Sequence, residues 1–145
     1  MVNEPQVMIE VEGLTKLYGD FVAITNLNFT VKKGEIVGLL GPNGSGKTTT
    51  MRILTGYMPP SEGIAKIAGH DVLSNSLSAR SRIGYLPETV PLYQDMEVGE
   101  YLSFMGSMRG MKNVNIKKRI DEVVDQVNIG HYLGTHIGKL SKGYK

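Results

Sequence analysis

At 145 residues the chain has room for one domain with a core of moderate size. It is 41% hydrophobic and 21% charged, and 16 basic against 14 acidic residues leave a net charge of only +2, too little to point to a nucleic-acid partner. The lack of cysteine excludes disulfides, thiolate metal sites and thiol catalysis. No apolar run reaches the ~18 residues of a membrane span, and Met1, Val2, Asn3, Glu4, Pro5 and Gln6 lack the basic start of a leader, so a cytosolic protein is expected.

Val7, Ile9 and Val11 alternate with polar positions and predict a half-buried strand. Leu27, Phe29 and Val31 predict a second one, ended by Lys32, Lys33 and Gly34. Residues 36–40, Ile-Val-Gly-Leu-Leu, do not alternate, which predicts a parallel strand buried on both faces. A helix is expected over residues 47–55, stopped by Gly56. Pro59, Pro60 and Ser61 mark a turn before a short strand at residues 64–68, and residues 83–86 form another strand closed by Pro87. The second half is helical. Val98, Leu102 and Met105 form one stripe, and Ile116, Ile120, Val123, Val124 and Val127 form another, with Asn115 as its N-cap. His70, His131 and His136 have no metal-ligand spacing and read as turn or surface residues.

Eighteen glycines are many for this length, and their densest group, Gly41, Gly44 and Gly46, falls where the chemistry is expected. Gly41, Pro42, Asn43, Gly44, Ser45, Gly46, Lys47 and Thr48 match G-x-x-x-x-G-K-[ST] between an expected strand and an expected helix. Glycines there let backbone N–H groups turn toward phosphate oxygens, and the following helix adds its positive end. Lys47 is expected on the β- and γ-phosphates, the Thr48 hydroxyl on Mg²⁺, and Thr49 beside them. The dinucleotide pattern G-x-G-x-x-G fails because Thr49 stands at its third glycine, and the N-K-x-D motif of GTPases is absent.

Nearly the whole chain resembles the ATP-binding subunit of an ABC transporter. The resemblance implies an α/β P-loop NTPase of the ABC type. It would have a β-rich part and a share of a parallel core sheet over residues 1–88, and a helical part over residues 89–145. Leu14, Thr15, Lys16, Leu17, Tyr18 and Gly19 match the segment whose aromatic residue stacks on adenine, which makes Tyr18 that residue. Glu88 stands where the family usually has a glutamine touching metal and attacking water, as in its drug-export, sodium-export and gliding-motility members. A carboxylate still suits Mg²⁺ there. Leu140, Ser141, Lys142, Gly143 and Tyr144 match the L-S-G-G-Q signature loosely, and imply that Ser141 and Gly143 meet the γ-phosphate of ATP held by a second subunit.

The implied cofactors are ATP and Mg²⁺. The implied partners are a second ATP-binding subunit and a transmembrane permease on the cytoplasmic face of the membrane, with export as the direction. Residues 86–101 are expected to face that permease, since Pro87, Pro91, Leu92, Tyr93 and the loop between them are too apolar for a solvent turn. The family's metal-binding aspartate and catalytic glutamate follow the signature. Val123, Val124 and Asp125 imitate them but lie in an amphipathic stripe, so the chain is expected to be the first part of a domain, inactive alone. The alternatives are an ABC ATPase acting on ribosomes or DNA, a small P-loop kinase, and a truncated product that binds nucleotide without turnover.

Overall fold

The computed structural model describes residues 6–144; residues 1–5, which carried the reading against a leader, lie outside it with Lys145. The chain divides into two compact units, Met1–Tyr85 and Leu86–Lys145. No helix among the described residues is long and apolar enough to cross a membrane.

The first unit is built on an antiparallel sheet of four strands. β1 (Val7–Tyr18) and β2 (Phe21–Lys32) form a long hairpin, and β3 (Glu62–Ile67) pairs with the other edge of β1. The two-residue strand β4 (His70–Asp71) completes the order β2-β1-β3-β4. Ala68 and Gly69 join β3 to β4 with φ of 48° and 80°, the positive values that a two-residue hairpin turn needs. The β1–β3 register slips between Glu12 and Thr15. There Gly63, at φ 83°, lies so near the Gly13 carbonyl that any Cβ would strike it, which is why glycine stands at this bulge.

One face of the sheet carries the core. Val11, Leu14, Ile24, Ala65 and Ile67 pack with Ile53 and Leu54 of helix α1 (Lys47–Leu54). Val72 and Ala79, the latter on helix α2 (Ser76–Arg80), close the cluster. Burying a residue such as Ile53 contributes roughly 1.5–3 kcal/mol, so a few such positions hold the helix on the sheet. Across the sheet Lys66 pairs with Glu10 at 3.0 Å.

Two expected strands are not there. Residues 36–40 are in no sheet, with Ile36 fully exposed and Leu40 91% exposed, and residues 83–86 are likewise irregular. Among the described residues every strand pairing is antiparallel, so the expected share of a parallel sheet is absent. A strand exists by its hydrogen bonds to a neighbour, and these segments have none to join. His70, expected in a turn or at the surface, is half-buried in β4 opposite Ile67.

The second unit packs helix α3 (Val98–Met108) against helix α4 (Asn113–Val127). Gly106 faces Ile116, whose Cγ1 would be 3.1 Å from an added Cβ, and this close approach lets the helices meet. Helix α4 begins two residues before the expected cap: Lys112 is the N-cap, and Asn115 lies inside the first turn. Ile116 and Val124 are buried as the stripe predicts, whereas Val127 is exposed. The start of α3 leaves N–H groups without helical partners. Val98 N–H donates to Thr135 O (3.1 Å) and Gly99 N–H to Leu133 O (2.9 Å), while Glu97 N–H reaches the Glu100 carboxylate at 3.2 Å. Ile137 N–H donates in turn to Met96 O at 2.9 Å, so the stretch after α4 runs along the approach to α3.

Candidate nucleotide site

The glycine-rich loop ends at Gly46, whose φ of 85° turns the chain into α1. A Cβ at Gly46 would sit 2.5 Å from Ala23 O and 2.9 Å from Ile24 Cγ1, so the loop can rest on β2 only with glycine there. At Gly41 a Cβ would lie 2.6 Å from Ser45 Oγ. The loop also holds itself together: Ser45 N–H donates to Pro42 O at 3.3 Å. Thr50, nearly fully buried, donates through both its N–H and its hydroxyl to Gly46 O, at 2.8 and 3.0 Å. These two hydrogen bonds pin the loop's end to the helix's first turn.

Lys47 lies along the concave side of the loop, its Nζ donating to Gly41 O at 2.7 Å and Pro42 O at 2.6 Å. The same ammonium can donate to phosphate oxygens, and Gly41, Gly44 and Gly46, all at positive φ, let the loop backbone turn N–H groups toward them, so the residues fit a phosphate group. Helix α1 has no acidic side chain in its first turn and Arg52 in its last, the charge order that leaves its N-terminal end open to an anion. Thr48 is exposed and Thr49 half-buried on that first turn, and Asn43, Gly44 and Ser45 form the exposed rim. Beside the loop opens a cavity of about 470 Å³, walled by Val22, Ile24, Leu27, Leu39 and Leu40 as well as Lys47. Its aliphatic walls suit apolar side chains; the groups that suit a phosphate lie on the loop side alone.

Tyr18 closes β1, opposite Phe21, and is 44% exposed. Its hydroxyl donates to Met58 Sδ at 3.2 Å, and Lys16 Nζ lies 5.4 Å from its ring centroid. Tyr18 and the loop thus belong to one unit and share a support, since the strand that returns from Tyr18 is the one under Gly46.

Glu88, Ser141 and Gly143 belong to the second unit. Glu88 is exposed in the irregular stretch ahead of α3. Ser141 precedes a single 3-10 turn, Lys142–Tyr144, and nothing lies within 4 Å of a Cβ built on Gly143. In the same unit Tyr93 is exposed yet stacks edge-on against Phe104, with centroids 5.8 Å apart.

Sequence reasoning missed the residues that hold Tyr18 in place. Lys16 was quoted only as part of a matching string, although a residue two positions before another on a strand shares its face. Met58 and Pro59, forty residues away, left no local signal at all.

The ABC transporter family model matches residues 24–145. Over 135 residues the chain is 42% identical to an uncharacterized ABC transporter ATP-binding protein of Methanocaldococcus jannaschii, covering 93% of this chain and 47% of the relative. It is 34% identical over 138 residues to the linearmycin resistance ATP-binding protein of Bacillus subtilis (95% and 44%). Against a probable multidrug ABC transporter ATP-binding protein of Escherichia coli it is again 34% identical, over 140 residues (97% and 24%). The chain therefore spans about half or less of these relatives. Among solved structures, an ATP-binding subunit of an ABC transporter superposes with a TM-score of 0.82 at 28% identity, covering 94% of this chain and 57% of the other. The protein cbiO1 from Clostridium perfringens, described as part of the ABC transporter complex cbiONQ, gives 0.82 at 26% identity (97% and 58%).

Proposed function

This chain belongs to the ABC transporter family, as its ATP-binding domain with the P-loop NTPase fold, and we propose that it is the first part of a subunit that binds and hydrolyses Mg-ATP to drive export through a membrane permease. The observation that carries the proposal is the glycine loop itself, with Gly41, Gly44 and Gly46 at positive φ leading into α1 and Lys47 held against it through Gly41 O and Pro42 O. Gly41, Gly44 and Gly46 free the backbone to wrap a phosphate, and Lys47 supplies its counter-charge. Pro42, Asn43 and Ser45 complete the loop, and Thr49 extends it onto α1. Bound Mg²⁺ would neutralise charge developing on the transferred phosphoryl group, and the Thr48 hydroxyl is the residue in this unit that would hold it. Glu88 would contact the same metal. Tyr18 would stack on adenine, and Ser141 and Gly143 would contribute to the site of a second subunit.

Export as the direction is supported by the glutamate at position 88 and by relatives named for multidrug transport and linearmycin resistance. We further propose that residues 1–88 and 89–145 are the two parts of one incomplete ATP-binding domain. The stretch of Pro87, Pro91, Leu92 and Tyr93 would face the permease on the cytoplasmic side of the membrane. The chain by itself would bind nucleotide poorly and not turn it over. No basic stripe favours the ribosome or DNA alternative.

The test is calorimetry of Mg-ATP binding to the full-length protein and its Lys47→Ala variant. Loss of measurable binding is expected, because the loop's only cation goes. Unchanged affinity contradicts the assignment.

A further inference from the structure

We propose that Lys16 is a positioning residue for the adenine base, backing one face of the Tyr18 ring so that only the other face receives the nucleotide; this rests on the reading of Tyr18 as the stacking residue. Lys16 and Tyr18 are two apart on β1 and so share a face of the strand. The Lys16 ammonium lies 5.4 Å from the ring centroid, within cation–π range. It is not a loosely solvated lysine, because its Nζ also donates to Pro59 O at 2.9 Å. The ring is held at its far end as well, where the Tyr18 hydroxyl meets Met58 Sδ at 3.2 Å. Leu17, between them, donates its N–H to Ser61 Oγ at 3.0 Å, and Ser61 N–H returns a bond to Thr15 O at 2.9 Å. Residues 58–61 therefore clamp residues 15–18 at four points, one on the Tyr18 hydroxyl and one on the ammonium that backs its ring.

The arrangement has two chemical effects. A fixed ring has already lost the rotamer freedom that stacking would otherwise take from it. A cation behind the ring draws electron density from the face it covers, which favours an electron-rich purine on the opposite face. Neither effect touches the phosphates. Lys16 should thus matter to ATP and be silent toward a triphosphate with no base.

The experiment measures binding of Mg-ATP and of inorganic tripolyphosphate to the full-length protein, its Lys16→Met, Lys16→Arg and Tyr18→Ala variants, and the Lys16→Met/Tyr18→Ala double variant. Methionine keeps the length and apolar stem of lysine and removes the charge. Lys16→Met should weaken ATP about two- to fivefold, the size of an exposed cation–π contact, and leave tripolyphosphate unchanged. Lys16→Arg should restore ATP affinity, and the double variant should bind ATP no more weakly than Tyr18→Ala alone. If Tyr18→Ala weakens ATP while Lys16→Met does not, the role of Lys16 is overturned and the stacking reading stands. Equal weakening of ATP and tripolyphosphate by Lys16→Met would make the residue merely structural. If Tyr18→Ala leaves ATP affinity unchanged, the stacking reading falls and takes this inference with it.

Discussion

Residues 36–40 and β3 are both short apolar stretches in the same unit, and they have opposite fates. In β3, Ala65 and Ile67 are almost fully buried, because β1 and β4 hold the strand in the sheet and its inner face packs with Ile53 and Leu54. Residues 36–40 are richer in large aliphatic side chains, yet Ile36 and Leu40 face solvent along most of their surface. Hydrophobicity therefore did not decide which became a strand. Partners did: β3 lies within reach of a hairpin made by its own neighbours in sequence and of the long strand β1, whereas residues 36–40 meet no free strand edge among those described.

The comparison can be broken by trimming each stretch in turn. Ile67→Ala removes a core side chain and should cost about 2–5 kcal/mol of stability. Leu40→Ala in the same 145-residue chain should change stability by no more than about 0.5 kcal/mol, as exposed positions do. Urea unfolding of both variants decides it, and a loss at Leu40 approaching that at Ile67 would mean that residues 36–40 are packed after all.

A smaller effect would sharpen the contrast from the side of β4. Asp71 ends that strand, and its Oδ1 accepts Ser74 N–H at 2.7 Å, Leu73 N–H at 2.9 Å and the Ser74 hydroxyl at 3.0 Å. The Ser74 N–H, ahead of the other donors, holds the Asp71 carboxyl below its ordinary value of 3.8. A carboxylate lowered by folding contributes stability that is full above its ordinary value and lost as pH falls through the lowered one. Asp71→Asn should cost about 1–2 kcal/mol at neutral pH. It should also flatten the loss of stability below pH ~4, measured by thermal unfolding against pH. An unaltered acid limb would remove Asp71 from the account.

The smallest effect belongs to the pair that ties β3 to β1. Lys66 holds the Glu10 carboxyl below its usual range, and Glu10 holds the Lys66 ammonium above its own. The Glu10 contribution is present above the ordinary carboxylate range and fades in acid. The Lys66 contribution is present below the ordinary lysine range and fades as pH rises through the raised value. Both side chains are solvated, so Lys66→Met should barely move the midpoint in high salt and only slightly lower it in low salt. A large salt-independent loss would show that the stem of Lys66, not its charge, secures β3.

How much of this was legible in the sequence depends on whether the cause was local. The glycine loop was legible because its conformation follows from residue type: Gly46 must be glycine where β2 passes beneath it. Helix α3 was read from its stripe of Val98, Leu102 and Met105, since a helix closes its hydrogen bonds within its own segment. Helix α4 was read by its stripe and misread at its start, because Asn115 suits a cap by type while the chain turns at Lys112. Residues 36–40 and 83–86 were misread because their composition describes the burial they could accept, and pairing is decided elsewhere in the chain. Tyr18 was located by resemblance, but its clamp was not, since Met58, Pro59 and Ser61 reach it only after the sheet has formed.

Helix α1 joins the glycine loop to the residues that brace Tyr18, and this gives it the character of a ruler. Its first residue follows the loop at Gly46, and past its last turn Tyr57 and Met58 hand their N–H groups to Arg52 O as the chain enters the clamp on Tyr18. Eight residues at 1.5 Å each set a span of about 12 Å between those ends. One inserted residue would lengthen the span by only about 1.5 Å but rotate everything beyond it by about 100°. The loop would keep its shape while Met58 and Pro59 swung away from the ring. The length of this one short helix thus fixes where the brace behind Tyr18 falls relative to the loop.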